Sequence, residues 1–384
     1  MPRQRHSRRE EQTPSIELPK ATTRIHSLDS LRAAMMALGI LFHGACTYTT
    51  LPLAPVWPFK DRATTPVCDV VLVLTHAFRM PLFFLLAGFF ANLLFQRAGM
   101  ADFFRNRGKR ILLPFAVGWL LLDAPTVGGM VYGSAIYGPS PGLALKTYFE
   151  SGAFFHTPTT IHLWFLNYLL YFYVGAVLFA LISRAILPIS VRQAVGRCFR
   201  MLVSSPLRAV IFAVPTAVTL MSSRTGGFDT DTRFVPRLTG VTAYAVFFGL
   251  GWLLWDNKDL LPRLQRHAGI QMLFALLLAP VSILSYSRVL RSLPRYEAQA
   301  HTLAVITTAL VCWLLIFGLI GLAQQYWDQN NARVRYLADA SYWMYLAHAH
   351  RSLAPSSVGT LEFASTNQVS DCRLGYDGHY TCHL

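Results

Sequence analysis

Nine stretches of the chain are almost continuously apolar: about 33–50, 70–95, 111–132, 163–183, 207–222, 239–255, 270–286, 302–322 and a short one near 336–350. The hydrocarbon core of a bilayer, about 30 Å thick, takes about 20 residues of helix. The fold class this predicts is all-α, a polytopic membrane helical bundle with about nine spans visible. The polar exceptions inside the spans are the informative positions. In "RIHSLDSLRAAMMALGILFHGACTY" (24–48), Arg32 and His43 stand eleven residues apart. On a helix that spacing brings them within about 20° of each other and about 16 Å apart along the axis. Asp29 falls on the same side. The second span, "PVCDVVLVLTHAFRMPLFFLLAGFFANLLF" (66–95), carries Asp69, His76 and Arg79, with Asp69 and His76 on one face and Arg79 a turn below His76. Counted at about 1.5 Å per residue, Arg79 and His43 reach nearly the same depth, where a short hairpin would let them meet.

Composition and charge fit this pattern. Of 384 residues, 53% are hydrophobic and 14% charged, and the mean hydropathy is +0.38. A soluble domain carries nearer a quarter charged residues. The net charge of +15 would suit nucleic acid, but its distribution points elsewhere. With residues 1–28 inside, the inner connections hold 21 Lys and Arg and the outer ones 9. That is a positive-inside bias, which places the N-terminus in the cytoplasm and makes anionic lipid the partner of the basic surface. Residues 1–24 read as a basic cytoplasmic arm, without the apolar core of a signal peptide. The cysteines show no metal spacing. Cys46 and Cys68 fall near the outer face, where a disulfide is conceivable, although buried free thiols are the default for such positions.

An ionisable group within a span is costly and marks either a functional site or a buried pair. The fourth span opens with His162, and the ninth ends on His348 and His350. Arg107 and Arg110 in "FFRNRGKRILLP" (103–114) sit at the inner edge of the third span. Snorkelling or aromatic-belt chemistry accounts for an interfacial histidine, and anchoring accounts for an inner arginine. His43 is harder to dismiss, because sharing a face with Arg32 requires a polar interior. A histidine with a near-neutral pKa takes a proton from a hydroxyl or briefly carries an acyl group. Inner-face arginines clamp phosphates. A phosphate-bearing donor in the cytoplasm with an acceptor beyond the membrane fits this set, and so does a proton-coupled transporter.

Several ordered motifs resemble the acyltransferase family 3 membrane proteins. "LDSLRAAMMALGILFH" matches a first span in which arginine, ten residues and histidine recur: Arg32 and His43. "FRMPLFFLLAGFF" (78–90) is similar to the second span of that family, and "FFRNRGKRILLP" to its inner-edge pair of arginines. "HLWFLNYLLYFY" (162–173) and "SYWMYLAHAH" (341–350) are similar to its later landmarks. The resemblance covers about residues 25–350. It implies a multi-pass protein of the bacterial inner membrane, an acyl-CoA co-substrate (succinyl-CoA or acetyl-CoA) on the cytoplasmic side and a glycan hydroxyl as acceptor. Carried over by position, His43 is the catalytic histidine and Arg32 its partner, while Arg107 and Arg110 hold the donor. Within the family the first two spans are nearest to members that transfer succinyl groups to osmoregulated periplasmic glucans. Arg79 is then placed to meet the succinyl carboxylate, and His76, His162 and His348 are further substrate-binding candidates. No metal is implied, since only Asp69 and His76 approach a ligand spacing.

The sequence departs from the family pattern at its end. The family core has ten spans, whereas here a short ninth is followed by the polar tail 351–384 with Cys372 and Cys382. The change after Arg351 reads as a frameshift or truncation, or else as a small outer tail. The domain division that follows is the arm 1–24, a membrane acyltransferase domain 25–350 and the atypical tail 351–384. Alternatives to glucan succinylation are O-acetylation of another envelope polysaccharide or of lipopolysaccharide, a transporter without acyl chemistry, and a non-catalytic remnant. The span pattern lacks the paired Gly/Pro-broken helices of a transporter built from repeats.

Overall fold

The computed structural model describes residues 25–328 apart from 55, 135–139, 153–157, 294 and 296, together with 336, 340, 345, 372–374 and 380–382. In the order of the chain, its longer helices are α1 (His26–Tyr48), α2 (Pro66–Arg107), α3 (Leu113–Ser134), α4 (Pro141–Glu150), α5 (Trp164–Ile186), α6 (Ile189–Ser204), α7 (Arg208–Leu220), α8 (Leu238–Asp256), α9 (Ala268–Ser292) and α10 (Ala298–Tyr326). A three-residue antiparallel pair, Cys372–Leu374 with Tyr380–Cys382, lies in the tail. The first eight apolar stretches each coincide with a helix, and the bundle is the polytopic one expected.

Among the described residues six helical segments are long and apolar enough to cross a bilayer, or seven if the bent pair α6–α7 forms one span. The run Pro66–Tyr132 counts as a single segment in that tally, yet it folds back on itself at Gly99. That residue takes φ +76°, a backbone conformation open to glycine but strained for any residue with a Cβ. Beyond it Phe103 packs edge-on against Phe95 at 5.8 Å, and Arg107 reaches back to the Phe90 carbonyl. A π-helical turn, Gly108–Leu112, then leads into α3.

Three features differ from the apolar pattern. The stretch 207–222 forms only the 13-residue α7, about 20 Å long and too short to cross alone. The inner connection before it holds α6, an amphipathic helix that meets α7 at 113°. The outer connection between the third and fourth apolar stretches contains α4. The expected ninth span falls almost wholly outside the described residues.

α10 is the most enclosed span, packing on α1, α2, α7 and α9. α2 and α8 approach until each presents a glycine to the backbone of the other: a Cβ on Gly88 would strike the Phe248 carbonyl, and one on Gly251 the Leu85 carbonyl. Small residues at such a crossing let two membrane helices gain van der Waals contact. An aromatic layer fills the interior, with Phe84 in ring contact with Trp164, Phe165, Tyr168, Phe172 and Tyr244. Outward faces carry exposed Leu120, Phe179, Val218, Leu277 and Leu284, as lipid contact demands.

Candidate active site

α1 carries the site along its length. Ends are called inner and outer in the sense that the charge bias gives. At the inner end Arg32 pairs with Asp29 at 3.4 Å, and its guanidinium lies 5.9 Å from the Phe90 ring centre. Arg107 donates to the carbonyl of that same Phe90 at 3.3 Å and stacks over Tyr173 at 4.9 Å and Phe103 at 5.5 Å. The turn at Gly99 is what returns Arg107 to this depth. Arg32 and Arg107, 75 positions apart in the chain, therefore converge on one residue. Arg110 does not join them, because it is exposed on the π-helical turn.

Eleven residues up α1, Phe42 and His43 mark the second station. Phe42 is its hub. The Arg79 guanidinium lies over the Phe42 ring at 4.9 Å, and the His76 ring stacks on it at 5.9 Å with an interplanar angle of 15°. His43 meets the edge of Phe42 at 5.1 Å and faces Trp57 at 5.8 Å. Arg79 Nε is buried and makes no hydrogen bond among the described residues. Cys46, Tyr244 and Tyr345 lie within electrostatic range of its guanidinium, and among the described residues no carboxylate forms an ion pair with it. Gly39 leaves room for it, since a Cβ there would collide with Nη1.

His76 Nε2 lies 2.7 Å from the Phe228 carbonyl oxygen. A carbonyl only accepts, so Nε2 carries the proton and Nδ1 alone is left for chemistry. Asp69 does not pair with His76. It accepts instead from the hydroxyls of Thr49 and Thr50 and from the Thr50 N–H at 2.7 Å, with Arg291 at 3.9 Å. Its role is to fasten the segment that leaves α1 to the start of α2. Among the described residues no cluster of His, Cys, Asp or Glu could hold a metal. Cys46 and Cys68 are free thiols.

At the outer end His162 is buried in the short 3-10 turn Ile161–Leu163 before α5, and its carbonyl accepts from Tyr345 Oη at 2.5 Å. Ile161 takes φ +33°, a strained value for a β-branched residue. His348 lies outside the described residues. The loop between α7 and α8 inserts Phe228, 1% exposed, beside Tyr244 and Phe247. Thr160 and Asn167 hold this loop through the carbonyls of Thr232 and Phe234. Asp231 grips Arg233 at 2.7 Å. Burial alone would raise the Asp231 carboxyl, but the Arg233 guanidinium and the N–H groups of Arg233 and Arg237 outweigh it and hold the carboxyl below its usual range.

Two residues of interest escaped the sequence reading. Asp123 is buried in α3 with Oδ2 unpartnered among the described residues, and a carboxylate inside an apolar run is itself a legible signal. Trp57 gives no such signal, because an aromatic residue in an outer loop is ordinary.

The model of the acyltransferase domain of family 3 matches residues 25–350, and the chain belongs to this family. The family is one of acyltransferase domains. Glucans biosynthesis protein C of Escherichia coli strain SMS-3-5 is 30% identical over 148 residues, 38% of this chain and 37% of that protein. The protein of the same name from strain K12 is 29% identical over the same length. The matched stretch thus spans little more than a third of these relatives. No solved structure matches the chain.

Proposed function

We propose that the protein moves an acyl group, succinyl in the first instance, from a cytoplasmic acyl-CoA to hydroxyl groups of a periplasmic glucan, with the chain seated in the bacterial inner membrane. The observation that carries this reading is the pair of stations along α1: two arginines gathered at Phe90 and a histidine and a buried arginine gathered at Phe42. Arg32 and Arg107, with Arg110 at the rim, bind the phosphates of the donor. His43 accepts the proton of the sugar hydroxyl as its oxygen attacks the thioester carbonyl. The tetrahedral adduct collapses by breaking the carbon–sulfur bond, and the thiolate takes the proton back from the imidazolium. Should His43 carry the acyl group first, the same proton balance holds over two steps.

Arg79 supports succinyl as the acyl group. A buried cation without an anion is unfavourable, and the distal carboxylate of a dicarboxylic acyl group would supply the partner that the described residues do not. A second reading, O-acetyl transfer to another envelope polysaccharide, shares every step except that contact, and the short match to the glucan relatives favours keeping it.

The test is expression in a strain lacking its own glucan-modifying enzyme, with base-released acids of the periplasmic glucan identified by mass spectrometry. Succinate from the parent chain and none from His43→Ala, at equal membrane levels, is the expected result. Acetate in its place selects the second reading. No ester from either, with the parent chain present in the membrane, overturns the acceptor.

A further inference from the structure

The described residues of the outer loop 51–65 are tied to the end of α1 by backbone hydrogen bonds. Asp61 N–H donates to the Thr47 carbonyl at 2.9 Å, and Thr65 N–H to the Tyr48 carbonyl at 2.9 Å. Trp57 N–H bonds back to the Leu53 carbonyl at 3.1 Å, closing a turn within the loop. The indole Nε1–H is spent on Thr47 Oγ1 at 3.2 Å, one helical turn beyond His43. Phe59, itself buried, meets the indole edge-on at 6.2 Å. These contacts set the Trp57 ring 5.8 Å from the His43 imidazole at 35° and leave it partly buried, packed against the cluster that contains Leu51 and Tyr286.

A tryptophan that merely anchors a membrane protein turns its ring to lipid and its N–H to the interface. Trp57 does neither, because its N–H is satisfied internally and its ring overlooks the one histidine of the α1 motif. A flat, rigid, apolar surface with a polar rim is the kind of wall that receives a hexopyranose. An axial C–H face stacked on the indole would leave equatorial hydroxyls at the ring edge, and the group already set beside that ring is the His43 imidazole. The ring is already ordered, so stacking costs little side-chain entropy.

We infer that Trp57 is the platform on which a pyranose ring of the acceptor glycan stacks, setting one of its hydroxyls against His43. This rests on the reading of the chain as a glycan acyltransferase and adds the residue that selects a sugar as acceptor. It is a binding and positioning role, distinct from proton transfer.

The full-length protein in membranes, its Trp57→Leu and Trp57→Phe variants, and two readouts test this. In transfer assays Trp57→Leu should raise the KM for glucan by about tenfold, as loss of a stacking anchor does, and leave the KM for acyl-CoA unchanged. Trp57→Phe, which keeps a flat ring, should recover most of that loss. A general packing defect would instead move both KM values, and an unchanged glucan KM in Trp57→Leu would overturn the inference. The second readout needs no turnover: glucose oligosaccharides titrated against the purified protein should give a saturable change in tryptophan emission that disappears in Trp57→Phe. If the parent chain transfers nothing to glucan, the proposed reaction fails, yet a Trp57-dependent emission change still upholds the sugar platform. Absence of that change overturns it.

Discussion

At the scale of single residues, the positions that could be read from sequence are those where charge interrupts an apolar run. Arg32, His43, Arg79 and Asp69 stand out because lipid gives no other reason for them. Their partners were not legible. The contact of His76 with the Phe228 carbonyl spans 152 positions, and Asp69 turns to two threonines, residues ordinary at a helix end. Arg79 yields a sharp prediction. If its guanidinium receives a distal carboxylate, Arg79→Leu should lower succinyl transfer by at least about a hundredfold, the scale of losing a charge-assisted contact of about 3 kcal/mol, and spare acetyl transfer. Gly39→Ala should copy that phenotype, because the added methyl occupies the space of Nη1. Competition between succinyl-CoA and acetyl-CoA, read by mass spectrometry of the product, measures both. Equal loss of the two acyl groups would mean that Arg79 only supports the fold.

At the scale of elements, apolar length predicted nine spans, and the eight that fall among the described residues are helices, because lipid contact requires a sustained apolar surface whatever the packing. It missed α4 and α6, which lie outside the long apolar runs. α6 is betrayed by periodicity alone, with Val191, Val195 and Leu202 on one side and Arg197 and Gln193 on the other. The return at Gly99 was equally hidden. A lone glycine in "QRAGMADFF" gives no sign that it takes φ +76°, yet this turn brings Arg107 to Phe90. How closely two helices approach is invisible too, and here the crossing of α2 and α8 makes a prediction. Gly251→Ala puts a methyl against the Leu85 carbonyl, which is backbone and cannot rotate away. The helices must separate, at a cost of about 1–3 kcal/mol. A thermal unfolding midpoint in detergent several degrees below that of the parent checks this, with Gly249→Ala, which meets nothing within 4 Å, as the control.

At the scale of the whole molecule, the outer loops form a clamped cap and the inner face carries the basic charge. The cap has a pH dependence of known sign. The Asp231 carboxyl is held below its usual range, so its contribution is present above about pH 4 and is lost as pH falls through the lower folded value. The difference in thermal midpoint between the parent and Asp231→Asn should therefore be constant from about pH 7 to 5 and shrink below that, as the parent loses this contribution. The surface geometry of the pair limits the difference to about 1 kcal/mol. Orientation is the larger matter, since it decides which station meets which compartment. The inner connections hold more than twice the Lys and Arg of the outer ones, and translocation of short basic loops is disfavoured. Arg62 and Arg263 are exposed at opposite ends of the bundle. In a background without native cysteines, Arg62→Cys should react with a membrane-impermeant maleimide in cells whose outer membrane alone is permeabilised, and Arg263→Cys only after lysis. The reverse labelling would put Arg32 and Arg107 outside, away from cytoplasmic acyl-CoA, and the proposed direction of transfer would fail with it. The labelling expected leaves the arginines at the donor side and Trp57 at the acceptor side, with His43 between them on a single helix.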